Sequence, residues 1–114
     1  MSAETLRIVV AIGPRMYREV LAFYFSKQHP LAEVVLASPQ TLRDKAKHTR
    51  PHLIVANMVP SELKEMCYWV EVRADETLSA TINADGYSDV IQDASLEDLL
   101  LAVEKAEEDL VDRS

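Results

Sequence analysis

The sequence predicts a doubly wound α/β domain, a parallel sheet with helices on both faces. Three observations predict it. Short apolar runs, nearly continuous, recur along the chain, as expected of strands buried on both faces. Segments with helical periodicity stand between them. Proline-containing breaks separate the two kinds of segment. Alternating strands and helices imply parallel strands joined by helical crossovers.

Leu6 to Ile12 (LRIVVAI) is the first buried run, and Gly13-Pro14 ends it. Proline suits the first turn of a helix, and Arg15 to Gln28 reads as helical. Tyr17, Leu21, Tyr24 and Phe25 form its inward stripe, and Met16, Val20 and Phe23 make the apolar surface unusually wide. His29-Pro30 stops this helix. Ala32 to Ala37 is a second strand. Ser38 is a candidate N-cap for a short helix marked by Leu42 and Ala46, running to about Thr49. Pro51 reopens the chain, and Leu53-Ile54-Val55-Ala56 is a third buried strand with Asn57 at its end.

Pro60 and Ser61 begin a weak helical stretch to about Met66. Tyr68 to Arg73 (YWVEVR) is strand-like, with Trp69, Glu71 and Arg73 on one face and Tyr68, Val70 and Val72 on the other. Ala80 to Ile91 reads as a β-hairpin around Asp85-Gly86, a strong turn signal. Ser95 with Asp98 is close to a capping box. Leu96, Leu99, Leu100, Val103, Ala106 and Leu110 then give the clearest helix of the chain.

The 114 residues fit one domain, spanning 1–114, and the 48% hydrophobic content excludes a disordered acidic chain. The single cysteine, Cys67, allows no internal disulfide and suits a reducing compartment. Neither an apolar run long enough to span a membrane nor a signal-peptide pattern is present, so a cytoplasmic, membrane-free protein is expected. A net charge of −7 argues against direct nucleic-acid binding. Between Glu97 and Asp112 stand seven carboxylates against Lys105 alone. They are either a solvated helix face or a docking surface for a basic partner.

Three segments resemble the receiver domain of two-component response regulators. Arg7 to Leu21 (RIVVAIGPRMYREVL) is similar to receiver openings such as RVLIADDHPLVREGL. Pro51 to Pro60 (PHLIVANMVP) resembles the third receiver strand, PDVVLLDxxMP. Val90 to Leu100 (VIQDASLEDLL) resembles the LLKDASPEELL of the last strand and helix. Together they cover most of residues 6–60 and 90–108. The resemblance implies a five-stranded, flavodoxin-like (CheY-like) sheet. It also implies that the hairpin replaces the fourth helix, because only 35 positions separate Asn57 from Gln92, fewer than receivers commonly use.

Receivers form an acyl phosphate on an aspartate, with Mg²⁺ held by neighbouring carboxylates. Carried over by position, the acidic pair becomes Ile12 and Gly13, the acceptor aspartate becomes Asn57, the Ser/Thr after the fourth strand becomes Arg73 and the lysine becomes Gln92. Each change removes a required group. Asn57 and Gln92 remain neutral and polar, able to hydrogen-bond to each other or to backbone. The resemblance therefore implies a degenerate pocket, no catalytic residue, no metal and no cofactor.

The expected function is that of a phosphorylation-independent pseudo-receiver. It would act as a non-enzymatic signalling or transcription-regulatory module through protein contacts, including a homodimer. Val20 and Phe23 on the first helix, with Leu100, Val103 and Glu104 on the last, are the candidate interface. One alternative is a small-ligand sensor at the carboxyl ends of the strands, where Ile12, Gly13, Asn57 and Arg73 gather. Others are an N-terminal fragment of a response regulator with a DNA-binding output domain, and a receiver still phosphorylated on another acid. His29, His48 and His52 lack ligand-like spacing, and Cys67 lacks an adjacent base.

Overall fold

The computed structural model describes residues 5–74, 78–84 and 87–113. Strands β1 (Arg7–Ala11), β2 (Glu33–Leu36), β3 (Leu53–Ala56), β4 (Tyr68–Ala74), β5 (Leu78–Ala84) and β6 (Tyr87–Ile91) form one sheet in the order β2-β1-β3-β4-β5-β6. The first four strands are mutually parallel. β5 runs antiparallel to both β4 and β6. Four helices accompany the sheet: α1 (Arg15–Gln28), α2 (Leu42–Thr49), α3 (Ser61–Lys64) and α4 (Leu96–Arg113).

The apolar runs are buried on both faces because their alternate residues feed two separate cores. Ile8 and Val10 of β1, Leu53 and Val55 of β3, and Val70 and Val72 of β4 point to one side. There they meet Leu21 and Phe25 of α1 and Leu99, Ala102, Val103 and Ala106 of α4. Val9, Ala11, Ile54 and Ala56 point to the other side and meet Leu42 and Ala46 of α2 and Leu63 of α3. Trp69 packs against this second core, so the face assignment read from YWVEVR holds. Period-two alternation with two covered faces is the doubly wound arrangement.

The expected count of five strands is corrected to six. β5 lies in the sheet between β4 and β6, where its backbone is paired on both sides. Ala80 and Ile82 send their side chains into the α1–α4 core, which gives the strand an apolar reason to stay in plane. The Asp85-Gly86 turn signal lies outside the described residues.

Two local expectations also change. Ser38 does not cap α2: Thr41 holds that position, and the two residues bond reciprocally in the turn before the helix, Ser38 N–H to Thr41 Oγ1 at 3.0 Å and Thr41 N–H to Ser38 Oγ at 3.2 Å. Tyr17 is half exposed and not part of the buried stripe of α1, which narrows to Leu21 and Phe25 with Tyr24 at its margin. At α4 the capping box forms as expected. Ser95 N–H donates to Asp98 Oδ2 at 2.8 Å, and Asp98 N–H donates to Ser95 Oγ at 3.3 Å.

Candidate functional site

In an open parallel sheet the order of connection reverses at one place, and the crevice beyond the strand ends there is the usual ligand site. Here the reversal falls between β1 and β3. Ile12-Gly13 leave β1 at this point and Asn57 leaves β3. Gly13 N–H donates to Asn57 Oδ1 at 2.7 Å, and Asn57 Nδ2 donates to the Val72 carbonyl of β4 at 3.1 Å. One carboxamide thus links the ends of three strands. It does so by accepting and donating at once, which an ionised carboxylate cannot do.

The neighbouring positions are organised by backbone and core contacts. The Ile12 side chain is buried in the α1–α4 core, while its carbonyl accepts from Arg18 Nε at 3.1 Å. Gly13 is not demanded by conformation or crowding. A Cβ there would meet Asn57 Oδ1 at 3.6 Å, an ordinary contact. Arg73 follows Val72 on β4 with its side chain exposed.

Gln92 is not brought to this cluster. It is exposed beyond the end of β6, three strands from β3, a lateral distance of roughly 14 Å at the usual strand spacing. The insertion of β5 is the physical reason, since a five-stranded order would have left two spacings. Of the two partners expected for Asn57, Gln92 or backbone, the backbone is the one it finds.

A second tie was not anticipated. Glu71 Oε2 accepts the Val59 N–H at 2.9 Å, and Glu71 Oε1 lies 3.3 Å from Lys64 Nζ. The same ammonium sits 4.2 Å from the centre of the Trp69 ring. This fixes the loop after β3 onto β4. The signal in the sequence was the shared face of Trp69 and Glu71, with Lys64 at the end of the short helix before them.

A cleft of about 320 Å³ lies to one side, between the end of β2 and the start of α1, lined by Arg15, Arg18, Glu19, Ser38 and Thr41 among others. None of Ile12, Gly13, Asn57 or Arg73 lines it.

The topology defines the fold, and one solved structure shares it. Methionyl-tRNA formyltransferase from Clostridium thermocellum is similar with a TM-score of 0.51 at 14% identity, over 78% of this chain and 54% of that one. The chain has a Rossmann-like α/β fold. It spans about half the length of the formyltransferase chain, and at that identity the likeness carries the fold alone. No family model and no curated protein matches the sequence.

Within this Rossmann-like frame the cysteine and the three histidines each have a partner. Cys67 donates to the Leu63 carbonyl at 3.5 Å, and burial pushes its thiol up to about 11. His29 Nδ1 lies 2.7 Å from Glu107 Oε2, His48 Nδ1 lies 2.8 Å from the Asp44 carbonyl, and His52 Nδ1 accepts the Arg7 N–H at 3.0 Å. Arg43, 2.6 Å from Glu62, holds that exposed carboxyl below its ordinary range. Among the described residues no group of three or more His, Cys, Asp or Glu could hold a metal ion. None of the described helices is long and apolar enough to cross a membrane.

The candidate interface residues divide. Val20 and Phe23 are exposed at 49% and 70%, on the side of α1 that faces away from the sheet. Glu104 is exposed on α4 and Leu100 is half-buried beside it. Val103 is fully buried in the core, so it supports this surface from beneath and is not part of it. The helical period explains this: Val103 shares the inward stripe with Leu99, Ala106 and Leu110.

Proposed function

We propose that this chain is a pseudo-receiver, a non-enzymatic regulatory module that works through protein contacts and independently of phosphorylation. The observation that carries the reading is the bridge from Gly13 N–H to Asn57 Oδ1 at 2.7 Å. The position that would be phosphorylated in a receiver holds an amide whose oxygen and nitrogen are both used to tie strand ends together. The positions that would bind Mg²⁺ are a buried isoleucine and a glycine. Glu71, a carboxylate on the adjoining strand, is already engaged by Val59 N–H and Lys64.

The strand order supports the same reading. β2-β1-β3-β4 is the 2-1-3-4 portion of the flavodoxin-like order. β5 then adds an antiparallel strand where that order would continue in parallel. The exposed apolar surface of α1 beside the acidic α4 supplies the contact face.

The test is a pull-down from the native cell with the wild-type chain, with and without acetyl phosphate and Mg²⁺, and with Val20→Glu/Phe23→Glu. The reading expects one specific partner set, unchanged by acetyl phosphate and lost in the double variant. A partner set that appears only with acetyl phosphate would overturn it.

A further inference from the structure

β6 is an outermost strand of the sheet, so one of its sides has no neighbouring strand. Such an edge presents a row of backbone N–H and C=O groups to any extended chain that meets it, a second copy of the same strand included. Lysine and proline are common defences of an edge, and Tyr87-Ser88-Asp89-Val90-Ile91 has neither. Ser88, Asp89 and Val90 are all exposed, Val90 at 59%.

The strand register sets which backbone groups face outward. Ala84 and Tyr87 oppose each other with only residues 85 and 86 between them. In so tight a hairpin the flanking pair exchanges both backbone hydrogen bonds, and such pairs alternate along the ladder. Ile82–Asp89 and Ala80–Ile91 are then bonded in the same way, while Thr81–Val90 and Asn83–Ser88 are the pairs between. The N–H and C=O groups of Ser88 and Val90 therefore point away from β5, to the open side. One of these groups is already taken: Asp89 Oδ1 accepts the Val90 N–H at 2.8 Å.

Asp89 is also the middle residue of the strand. Two copies of β6 paired antiparallel about a two-fold axis at Asp89 would set Ser88 of each against Val90 of the other. Each such pair needs the Val90 N–H as a donor to the Ser88 carbonyl. The same rotation would oppose the two Asp89 carboxylates, in a pair whose Cα atoms stand roughly 4.5 Å apart, and like charges directly opposite destabilise a ladder. We infer that Asp89 closes the β6 edge against a second copy of this chain. It holds the donor that a new ladder needs, and it puts like charge at the centre of the pairing. Closure of this edge does not depend on what the outward side of α1 contacts, and so goes beyond the proposed function.

Sedimentation velocity across a concentration series, with amide hydrogen exchange on the intact chain, tests it. Asp89→Ala is expected to keep the circular dichroism spectrum of the wild type, since the side chain is exposed. It should self-associate at concentrations about tenfold or more below any at which the wild type does. At dilutions where both are monomeric, the Val90 amide should exchange about tenfold faster in Asp89→Ala. Asp89→Asn keeps an acceptor and should keep that amide slow. Val90→Pro removes the outward N–H without breaking the β5–β6 ladder, so it should fold. Added to Asp89→Ala, it should return the chain to the wild-type association state. An Asp89→Ala variant no more prone to associate than the wild type would overturn the inference. So would equal Val90 exchange in the two, a Val90→Pro chain that does not fold, or association that persists in the double variant.

Discussion

Asn57 accepts the Gly13 amide proton through Oδ1 at 2.7 Å while Nδ2 donates to the Val72 carbonyl at 3.1 Å. This relationship makes the amide, and not merely a polar group, the fitting side chain at the end of β3. An aspartate keeps the accepting half and turns a charged oxygen towards a carbonyl. Asn57→Asp is therefore expected to lower stability by about 1–2 kcal/mol, read from urea unfolding at neutral pH. Asn57→Ala should cost a similar amount. An aspartate variant as stable as the wild type would mean that the second bond contributes nothing.

Phe23 and Phe25 stand two residues apart on α1 with opposite surroundings, 70% exposed and fully buried. Phe25→Ala is expected to cost about 3–5 kcal/mol, since it opens a cavity between α1 and the sheet. Phe23→Ala should change the stability of the monomer by less than about 0.5 kcal/mol. Thermal or urea unfolding of the two variants at low protein concentration separates these outcomes.

Cys67 is predicted to react slowly with a thiol reagent at pH 8 while the chain is folded. Burial raises its thiol from 9.0 to about 11, and the thiolate is the reacting form. The reaction should accelerate as pH approaches 11 and reach the ordinary rate of an exposed cysteine in urea. The linked effect on stability follows in sign. The folded state holds the proton more tightly, so this contribution is complete below pH 9 and is lost as pH rises towards 11. Folded-state reactivity at pH 8 equal to that in urea would contradict this placement.

The box at the start of α4 should also be measurable. Ser95→Ala removes the oxygen that accepts the Asp98 N–H and is expected to cost about 1 kcal/mol. Ser95→Asp, which preserves an acceptor, should recover most of the loss.

The parallel part of the fold was legible because burial on both faces leaves a direct mark. Leu53-Ile54-Val55-Ala56 contains no polar residue, and the four side chains alternate between two cores. The interior of the sheet beyond β4 was less legible. Leu78–Ala84 and Tyr87–Ile91 have the composition of a hairpin whether or not they join the main sheet. Only the antiparallel register of β4 with β5 decides that they do. At the strand ends, Asn57 and Gly13 could be found from the sequence because they fall where a strand stops. Gln92, expected in the same pocket, lies apart from it, because its distance from Asn57 depends on how many strands lie between. Glu71 was missed for a related reason. Its partners, the Val59 amide and Lys64, meet it only after the chain has turned back through α3.

In the proposed reading the end of β3 accepts no phosphoryl group, which intact-mass analysis after incubation with acetyl phosphate and Mg²⁺ reads out. The expected result is an unchanged mass for the wild type and for Asn57→Asp alike, because Ile12 and Gly13 offer no carboxylate to hold the metal in either. A gain of one phosphoryl group on the wild-type chain, released in mild base as an acyl phosphate would be, would contradict the account.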